Sequence, residues 1–257
     1  PQESHPMTYC LALSLNDGLV FGADTRTNAG VDYVTRYSKL HTFCPADDRV
    51  FVLLSAGNLA TTQEVLNRIG RDLDSDAVEN LNSFSYLFEV AGYIGRVSGA
   101  VQREHADGLA RSGVSGGTSF ILGGQFGSQP HGLLLIYPQG NAIAASPETP
   151  YLQIGESKYG KPMLDRILRP EIGLEEGARL AVVSLDATVR SNVTVGLPFD
   201  IALYSAGSLA KPIIHRVVAD DADYVALREA YQSGLRTLFD QLPDLNWCNQ
   251  APVDPQD

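Results

Sequence analysis

Thr8-Tyr-Cys-Leu-Ala-Leu-Ser-Leu15, Asn16-Asp17-Gly18 and Leu19-Val-Phe-Gly-Ala-Asp24 form the stretch on which the reading of this chain turns. Two short β-forming runs flank three residues that tolerate positive φ, and this pattern predicts a β-hairpin. With Asn16–Gly18 as a three-residue loop, Leu15 lies opposite Leu19, and counting back sets Thr8 opposite Arg26. Asp24 is then the diagonal neighbour of Thr8 on the same face, because side chains alternate with a period of two. A slip of one residue would move Asp24 to the other face.

Working outward, short apolar runs bounded by Gly, Pro, Asn or Asp predict further strands at Arg49–Ser55, Thr118–Gly123, Leu133–Tyr137, Ala142–Ala145 and Asp200–Ser205. Helical spacing appears in Thr61–Leu73, where Val65, Leu66, Ile69 and Leu73 recur on one side and Thr61/Thr62 with Glu64 resemble a capping arrangement. It recurs in Phe84–Leu109, Lys161–Leu168, Glu175–Val189 and Tyr224–Leu242. Strands come in groups and helices in pairs, which is not a βαβα alternation, and hairpins cannot supply parallel crossovers. The expected class is α+β, with antiparallel sheets and helical layers outside them. Residues 8–242 are expected to form one domain, preceded by a leader at 1–7 and followed by a polar tail at 243–257, with Met7 as the native start.

The 257 residues are enough for a core that needs neither disulfide nor structural metal. Cys10, Cys44 and Cys248 are too few and too scattered for a disulfide framework or a zinc ribbon, which fits a reducing compartment. A net charge of −11, with no Lys/Arg cluster, argues against nucleic acid as a partner. No run approaches the ~20 apolar residues that span a bilayer, and the first residues lack signal-peptide character. A cytoplasmic protein without membrane contact is expected.

The chemistry centres on Thr8. With Met7 removed, its α-amine lies beside its own Oγ, and an α-amino group titrates near pH ~8, so it can serve as general base without a histidine. A neighbouring ammonium would keep that amine neutral by disfavouring a second positive charge. Lys39, in Tyr37-Ser-Lys39-Leu-His41, is the candidate, with Asp24 as its counter-ion. With residues 1–7 attached, the Thr8 nitrogen is an amide and the site is blocked, which is the form expected for the sequence as written.

These residues carry a resemblance. Thr8…Asp24-x-Arg26…Lys39, followed by Leu54-Ser-Ala-Gly57, resembles the N-terminal threonine hydrolases of the proteasome β-subunit superfamily. Met7-Thr-Tyr-Cys10, Leu19-Val-Phe21, Asp24-Thr-Arg-Thr-Asn-Ala-Gly-Val-Asp32, Ile154-Gly-Glu-Ser-Lys-Tyr-Gly-Lys-Pro162 and Asp186-Ala-Thr-x-Arg-Ser-Asn-Val-Thr194 narrow it to the bacterial proteasome-related Anbu family. The likeness runs from about Met7 to Leu242. It implies an αββα sandwich of two antiparallel sheets between helix layers, the N-terminal-nucleophile hydrolase fold. By matching position it implies Thr8 as nucleophile, Asp24 and Lys39 as the supporting ion pair, Arg26 lining the hairpin near the nucleophile, and the Gly57 N–H facing the oxyanion. Glu156 or Ser157 falls where proteasome subunits hold the threonine amine. Ser191 and Thr194 fall where those subunits carry an Asp and, three residues on, a Ser, so the carboxylate is missing there, and Asp186 lies five residues upstream. The resemblance also implies a ring-like or open helical homo-oligomer acting on a peptide or isopeptide. No cofactor is expected.

Competing readings are weaker. Gly113-Val-Ser115-Gly-Gly117 matches a nucleophile elbow, yet a helix precedes it and a strand follows, the reverse of the order that motif needs. The five histidines show no paired metal spacing. Asp220-Asp221-x-Asp223 lacks the glycine and distal glutamate of a calcium loop and reads as the acidic start of the last helix. Asn192-Val-Thr194 matches a glycosylation acceptor, and Cys10 reads as a small buried hydrophobe. An amide hydrolase is therefore weighed against a non-catalytic scaffold and a small-molecule amidase using the same nucleophile.

Overall fold

The computed structural model describes residues 8–28 and 34–245. In chain order the elements are β1 (Tyr9–Leu15), β2 (Gly18–Asp24), β3 (Arg26–Asn28), β4 (Val34–Arg36), β5 (Leu40–Ala46) and β6 (Arg49–Gly57), then α1 (Leu59–Asp74) and α2 (Leu87–Arg111). There follow β7 (Thr118–Phe126), β8 (Gly132–Ile136), β9 (Ala142–Ala144), β10 (Tyr151–Gly155), α3 (Lys161–Ile167), α4 (Leu174–Ser191), β11 (Phe199–Ser205), β12 (Ile213–Val217) and α5 (Ala222–Asp240).

One sheet has the order β10-β1-β2-β11-β12 and the other β5-β6-β7-β8-β9, with every pairing antiparallel, while β3 and β4 form a small ribbon of their own. Alternation along β1 explains the layering. Tyr9, Leu11, Leu13 and Leu15 pack outward with Leu180, Leu185 and Tyr224 of α4 and α5. Cys10 and Ala12 pack inward with Phe21, Val52, Leu54 and Ile121 between the two sheets. On the far side, Phe51, Leu53 and Phe120 pack against Val65, Ile69, Val90 and Ile94 of α1 and α2. Both sheets are thus buried on two faces, which gives the αββα sandwich.

The hairpin register differs from the sequence expectation. Leu15 pairs with Gly18 and Cys10 with Ala23, so Asn16-Asp17 is a two-residue loop and Tyr9, not Thr8, shares the helix-facing side with Asp24. Gly18 belongs to the strand. A Cβ there would lie 1.9 Å from the Tyr204 carbonyl oxygen, and its φ is +144, so both the close approach of β11 and the backbone at the end of the turn call for glycine.

Helix α1 starts two residues before the expected Thr61. Asn58 caps it, accepting from the Thr61 N–H at 3.1 Å, and the Thr62 hydroxyl donates back to the Asn58 carbonyl at 3.0 Å. Asp221 caps α5, as the acidic run predicted. No described helix is long and apolar enough to cross a membrane. Residues 1–7, including the expected start, and most of the expected tail with Cys248 lie outside the described residues.

His41 sits opposite Leu53 in β5–β6, its ring 6.0 Å from that of Tyr37, and its Nε2 is buried with no described partner. Burial holds the imidazole at about 4, with the Asp200 charge pulling weakly upward. The ring titrates near 6.5 when unfolded, so the unfolded chain binds more protons between these values. The His41 contribution to stability is therefore complete above pH ~6.5 and lost as the pH falls towards 4, by up to about 3 kcal/mol. Urea unfolding at pH 7.5 and 4.5 should show a smaller acid loss in His41→Gln than in the parent. Equal losses in both proteins would refute this.

Candidate active site

Thr8 enters the sandwich at the head of β1, 7% exposed, and its carbonyl accepts from the Glu156 N–H at 2.7 Å. That contact depends on Gly155, which ends β10 at φ +82 and whose added Cβ would lie 1.9 Å from the Thr8 carbonyl oxygen. A glycine at the end of an edge strand therefore sets where the first residue of its neighbour lies.

Asp24 closes β2 and is 0% exposed. Its Oδ1 accepts from Lys39 Nζ at 2.6 Å and from the Tyr9 N–H at 3.1 Å, and its Oδ2 from the Gly196 N–H at 3.3 Å. Burial pushes its carboxyl above the ordinary range, opposed by the Lys39 charge and these donors. The register places Asp24 on the helix side of the sheet. Because β2 ends there, its carboxylate still meets Lys39, itself 5% exposed and held just ahead of β5 by the bond from the Ser55 N–H to its carbonyl at 3.1 Å. Lys39 Nζ also donates to the Arg26 carbonyl at 2.6 Å, so two of its three protons have described partners.

Gly57 ends β6 at φ +130, and a Cβ there would lie 2.4 Å from the Gly117 carbonyl oxygen, so glycine is required. The Ala56 carbonyl accepts from Thr118 Oγ1 at 3.1 Å on the β7 side. A trans peptide aims its N–H opposite its C=O, so the Gly57 N–H points away from β7. Thr8, Lys39 and Gly57 line one cleft. It continues between the β3–β4 ribbon and the start of α1, with Thr27, Tyr37, Ser55, Leu59 and Thr62 in its walls.

The remaining expected residues are arranged differently. The Arg26 side chain reaches the turn after α4. Its Nη1 donates to the Val193 carbonyl at 2.6 Å, and its guanidinium lies over Gly196, where a Cβ would come within 2.5 Å. Glu156 Oε2 accepts from Asn192 Nδ2 at 2.9 Å, while Asn192 Oδ1 accepts from the Thr194 N–H and hydroxyl. Ser157 contributes backbone contacts, donating to the Gly155 carbonyl at 3.0 Å. Ser191 is exposed at the last turn of α4, and Asp186 faces α5, accepting from the Tyr224 hydroxyl at 2.7 Å. The Cys10 thiol is fully buried against the Ser55 carbonyl, and burial pushes it far up, which suits a core residue.

Sequence reasoning missed Asn192 and Gly196. The turn after α4 touches three parts of the site, through Asn192 to Glu156, Val193 to Arg26, and Gly196 to Asp24. The signal was an asparagine at a helix C-cap, read there only as part of a glycosylation pattern. Among the described residues no group of three metal-ligating side chains occurs.

Two antiparallel sheets between helices, with a threonine, a buried Lys–Asp pair and a glycine N–H gathered at one inter-sheet end, define a proteasome-type subunit, and a family model described as proteasome subunit matches residues 7–203. Solved structures narrow the class. The Anbu complex from Pseudomonas aeruginosa, described as a helical assembly, is 42% identical over 93% of this chain and 98% of that one, with a TM-score of 0.88. Anbu from Yersinia bercovieri, described as an ancestral beta-subunit, is 39% identical over 93% and 98%, with a TM-score of 0.87. Anbu from Hyphomicrobium sp. strain MC1 is 41% identical over 93% and 99%, with a TM-score of 0.83. The chain belongs to the Anbu family of proteasome-related proteins. No curated protein sequence matches it.

Proposed function

We propose that the chain is an N-terminal threonine amide hydrolase acting on a peptide or isopeptide bond, with Thr8 as nucleophile. The observation that carries this reading is the buried Lys39–Asp24 contact of 2.6 Å in the cleft that Thr8 and Gly57 line. With Thr8 as first residue, its neutral amine takes the proton of Oγ as the oxygen attacks the substrate carbonyl. The Gly57 N–H donates to the oxyanion of the tetrahedral intermediate. Collapse breaks the C–N bond, the ammonium returns its proton to the leaving amine, and an ester to Thr8 remains. Water, deprotonated by the same amine, hydrolyses that ester. The positive charge of Lys39 favours the neutral amine, and Asp24 offsets the cost of burying that charge.

Expression from Met7 with methionine trimming gives the form to test. A peptidyl epoxyketone, which bonds both a nucleophilic hydroxyl and an adjacent amine, is expected to add to Thr8, and Thr8→Ala to abolish the adduct in intact-mass measurements. Labelling that survives the substitution would remove Thr8 as nucleophile. The scaffold reading draws on Ser191, an exposed serine at the position implied for a carboxylate, and absence of any adduct in the trimmed protein would favour it.

We also propose self-association of this chain, supported by the relative described as a helical assembly at 42% identity. A single 27.7 kDa species in sedimentation at all concentrations would contradict it.

A further inference from the structure

A second buried carboxylate stands beside Lys39, and the chemistry proposed above leaves it without a part. Asp200, on β11, is 3% exposed. It pairs with Ala23 of β2, one place from the Phe199–Asp24 pair, so it lies on the inter-sheet face while Asp24 lies on the helix face. Cys10, Phe21, Ala23 and Ala202 make that inter-sheet face apolar. A carboxylate buried there adds little to stability even when paired, because an apolar pair of similar volume holds two strands as well.

Two groups hold Asp200. Arg216, directly opposite on β12, binds it through two guanidinium nitrogens, Nε to Oδ1 at 2.7 Å and Nη2 to Oδ2 at 3.0 Å. The Ser38 hydroxyl donates to Oδ2 at 2.7 Å. Ser38 precedes Lys39 in residues 37–39, which belong to no strand. Two consecutive side chains therefore end on carboxylates of the same sheet, Ser38 on Asp200 and Lys39 on Asp24. The charges of Lys39, Asp24 and Asp200 all bear on the buried Cys10 thiol, which gathers them at the head of β1, two residues from Thr8.

We infer that Asp200 is a positioning residue of the proposed hydrolase: through the Ser38 hydroxyl it fixes the segment that carries Lys39, and Arg216 holds the carboxylate in place. This rests on the hydrolase reading above. The Lys39 ammonium keeps the Thr8 amine neutral only from a fixed, short distance, since the interaction of two charges falls with their separation. Its bonds to Asp24 and the Arg26 carbonyl anchor the tip of a flexible four-carbon chain. The Ser38 contact anchors the backbone from which that chain starts.

The test follows the rate of epoxyketone labelling at Thr8 against pH, by intact mass, on the Met-trimmed protein. Around Lys39 stand Asp24 from β2, Cys10 from β1, Asp200 from β11 with Arg216 from β12 behind it, and Tyr37 and His41 from its own stretch of chain. Burial holds His41 at about 4 and pushes the Cys10 thiol and Tyr37 up, so a rise in rate between about pH 6 and 9 reports the Thr8 amine. Ser38→Ala removes the tie and leaves both ion pairs in place. It is expected to slow labelling at neutral pH about tenfold, the effect of a small displacement of an orienting group. The rise should also move to higher pH by about half a unit, because an amine farther from Lys39 holds its proton more tightly. Asp200→Asn added to Ser38→Ala should slow labelling no further, since the two act through one contact. Glu89→Ala, which removes the bonds capping the start of α2, is the destabilised comparison and should keep the parent rate and pH profile. Parent-like labelling in Ser38→Ala would overturn the inference and leave the hydrolase reading intact, as would a slower rate with an unmoved pH profile. If Asp200→Asn does not fold, Ser38→Ala alone decides. No adduct in the parent protein would overturn the hydrolase reading and this inference with it.

Discussion

Lys39→Met is expected to abolish labelling of Thr8 and to lower the unfolding free energy by about 3–5 kcal/mol. Methionine keeps the length of the side chain and removes its charge, leaving the Asp24 carboxylate fully buried with only the Tyr9 and Gly196 N–H groups. An uncompensated buried charge is the costly outcome, whereas removing both partners together is often tolerated. The double variant Asp24→Leu/Lys39→Met should therefore regain much of the lost stability in urea unfolding and still fail to label. Stability alone could explain a dead single variant, but not a dead double variant that folds. Recovery of labelling in the double variant would reduce the ion pair to a structural contact and take the ammonium out of the chemistry.

That this pair was legible at all owes more to residue types and order than to the strand count. The three-residue loop read at Asn16–Gly18 treated Gly18 as turn chemistry, while the structure uses it where the Tyr204 carbonyl crowds the strand. Gly18 combines a positive φ with that close approach, and a glycine in sequence does not say whether it sits in the loop or opens the strand, a difference here of one residue of register. The slip moved Asp24 to the other face, yet the pair survived because Asp24 is the last residue of β2 and its carboxylate is not confined to one face there.

The fold was readable where periodicity was long or unbroken. All five helices and the central strands fall within a few residues of their expected bounds, because burial on both faces forces continuous apolar runs into β1, β2, β6 and β7. The strands that were missed carry weaker signals, among them the five-residue β10, whose buried Tyr151, Leu152 and Ile154 make too short a run to stand out. Strand β5 carries Pro45 and a register shift between Phe43 and Ala46, and β12 is an exposed edge with Ile213 and Ile214 facing solvent. The ribbon strands β3 and β4 have three residues each, too few for a period to show. At the site, Thr8, Asp24, Lys39 and Gly57 were legible through spacing and resemblance. The turn after α4 was not, because its work is done by the Val193 carbonyl and the Gly196 N–H, backbone groups that every residue type supplies.

Gly155→Ala carries the second large effect, and it probes that backbone layer directly. The added Cβ would meet the Thr8 carbonyl oxygen at 1.9 Å, a backbone atom with no rotamer to yield, at a φ that alanine resists. Relief requires the end of β10 to part from the head of β1, breaking the 2.7 Å bond from the Glu156 N–H to Thr8. A stability loss of about 2–4 kcal/mol is expected, together with a fall of about a hundredfold in labelling, because a displacement near 1 Å at a reacting atom costs that much. Gly124→Ala supplies the comparison. Its Cβ would meet the Val50 carbonyl at 2.3 Å, a similar clash in the other sheet, where Gly124 pairs with Phe51 rather than with the cleft end of β6. It should therefore destabilise to a similar degree and, under conditions where the protein stays folded, label at close to the parent rate. If both variants label alike, Gly155 merely closes the sheet. If only Gly155→Ala loses the adduct, that glycine sets the position from which Thr8 attacks.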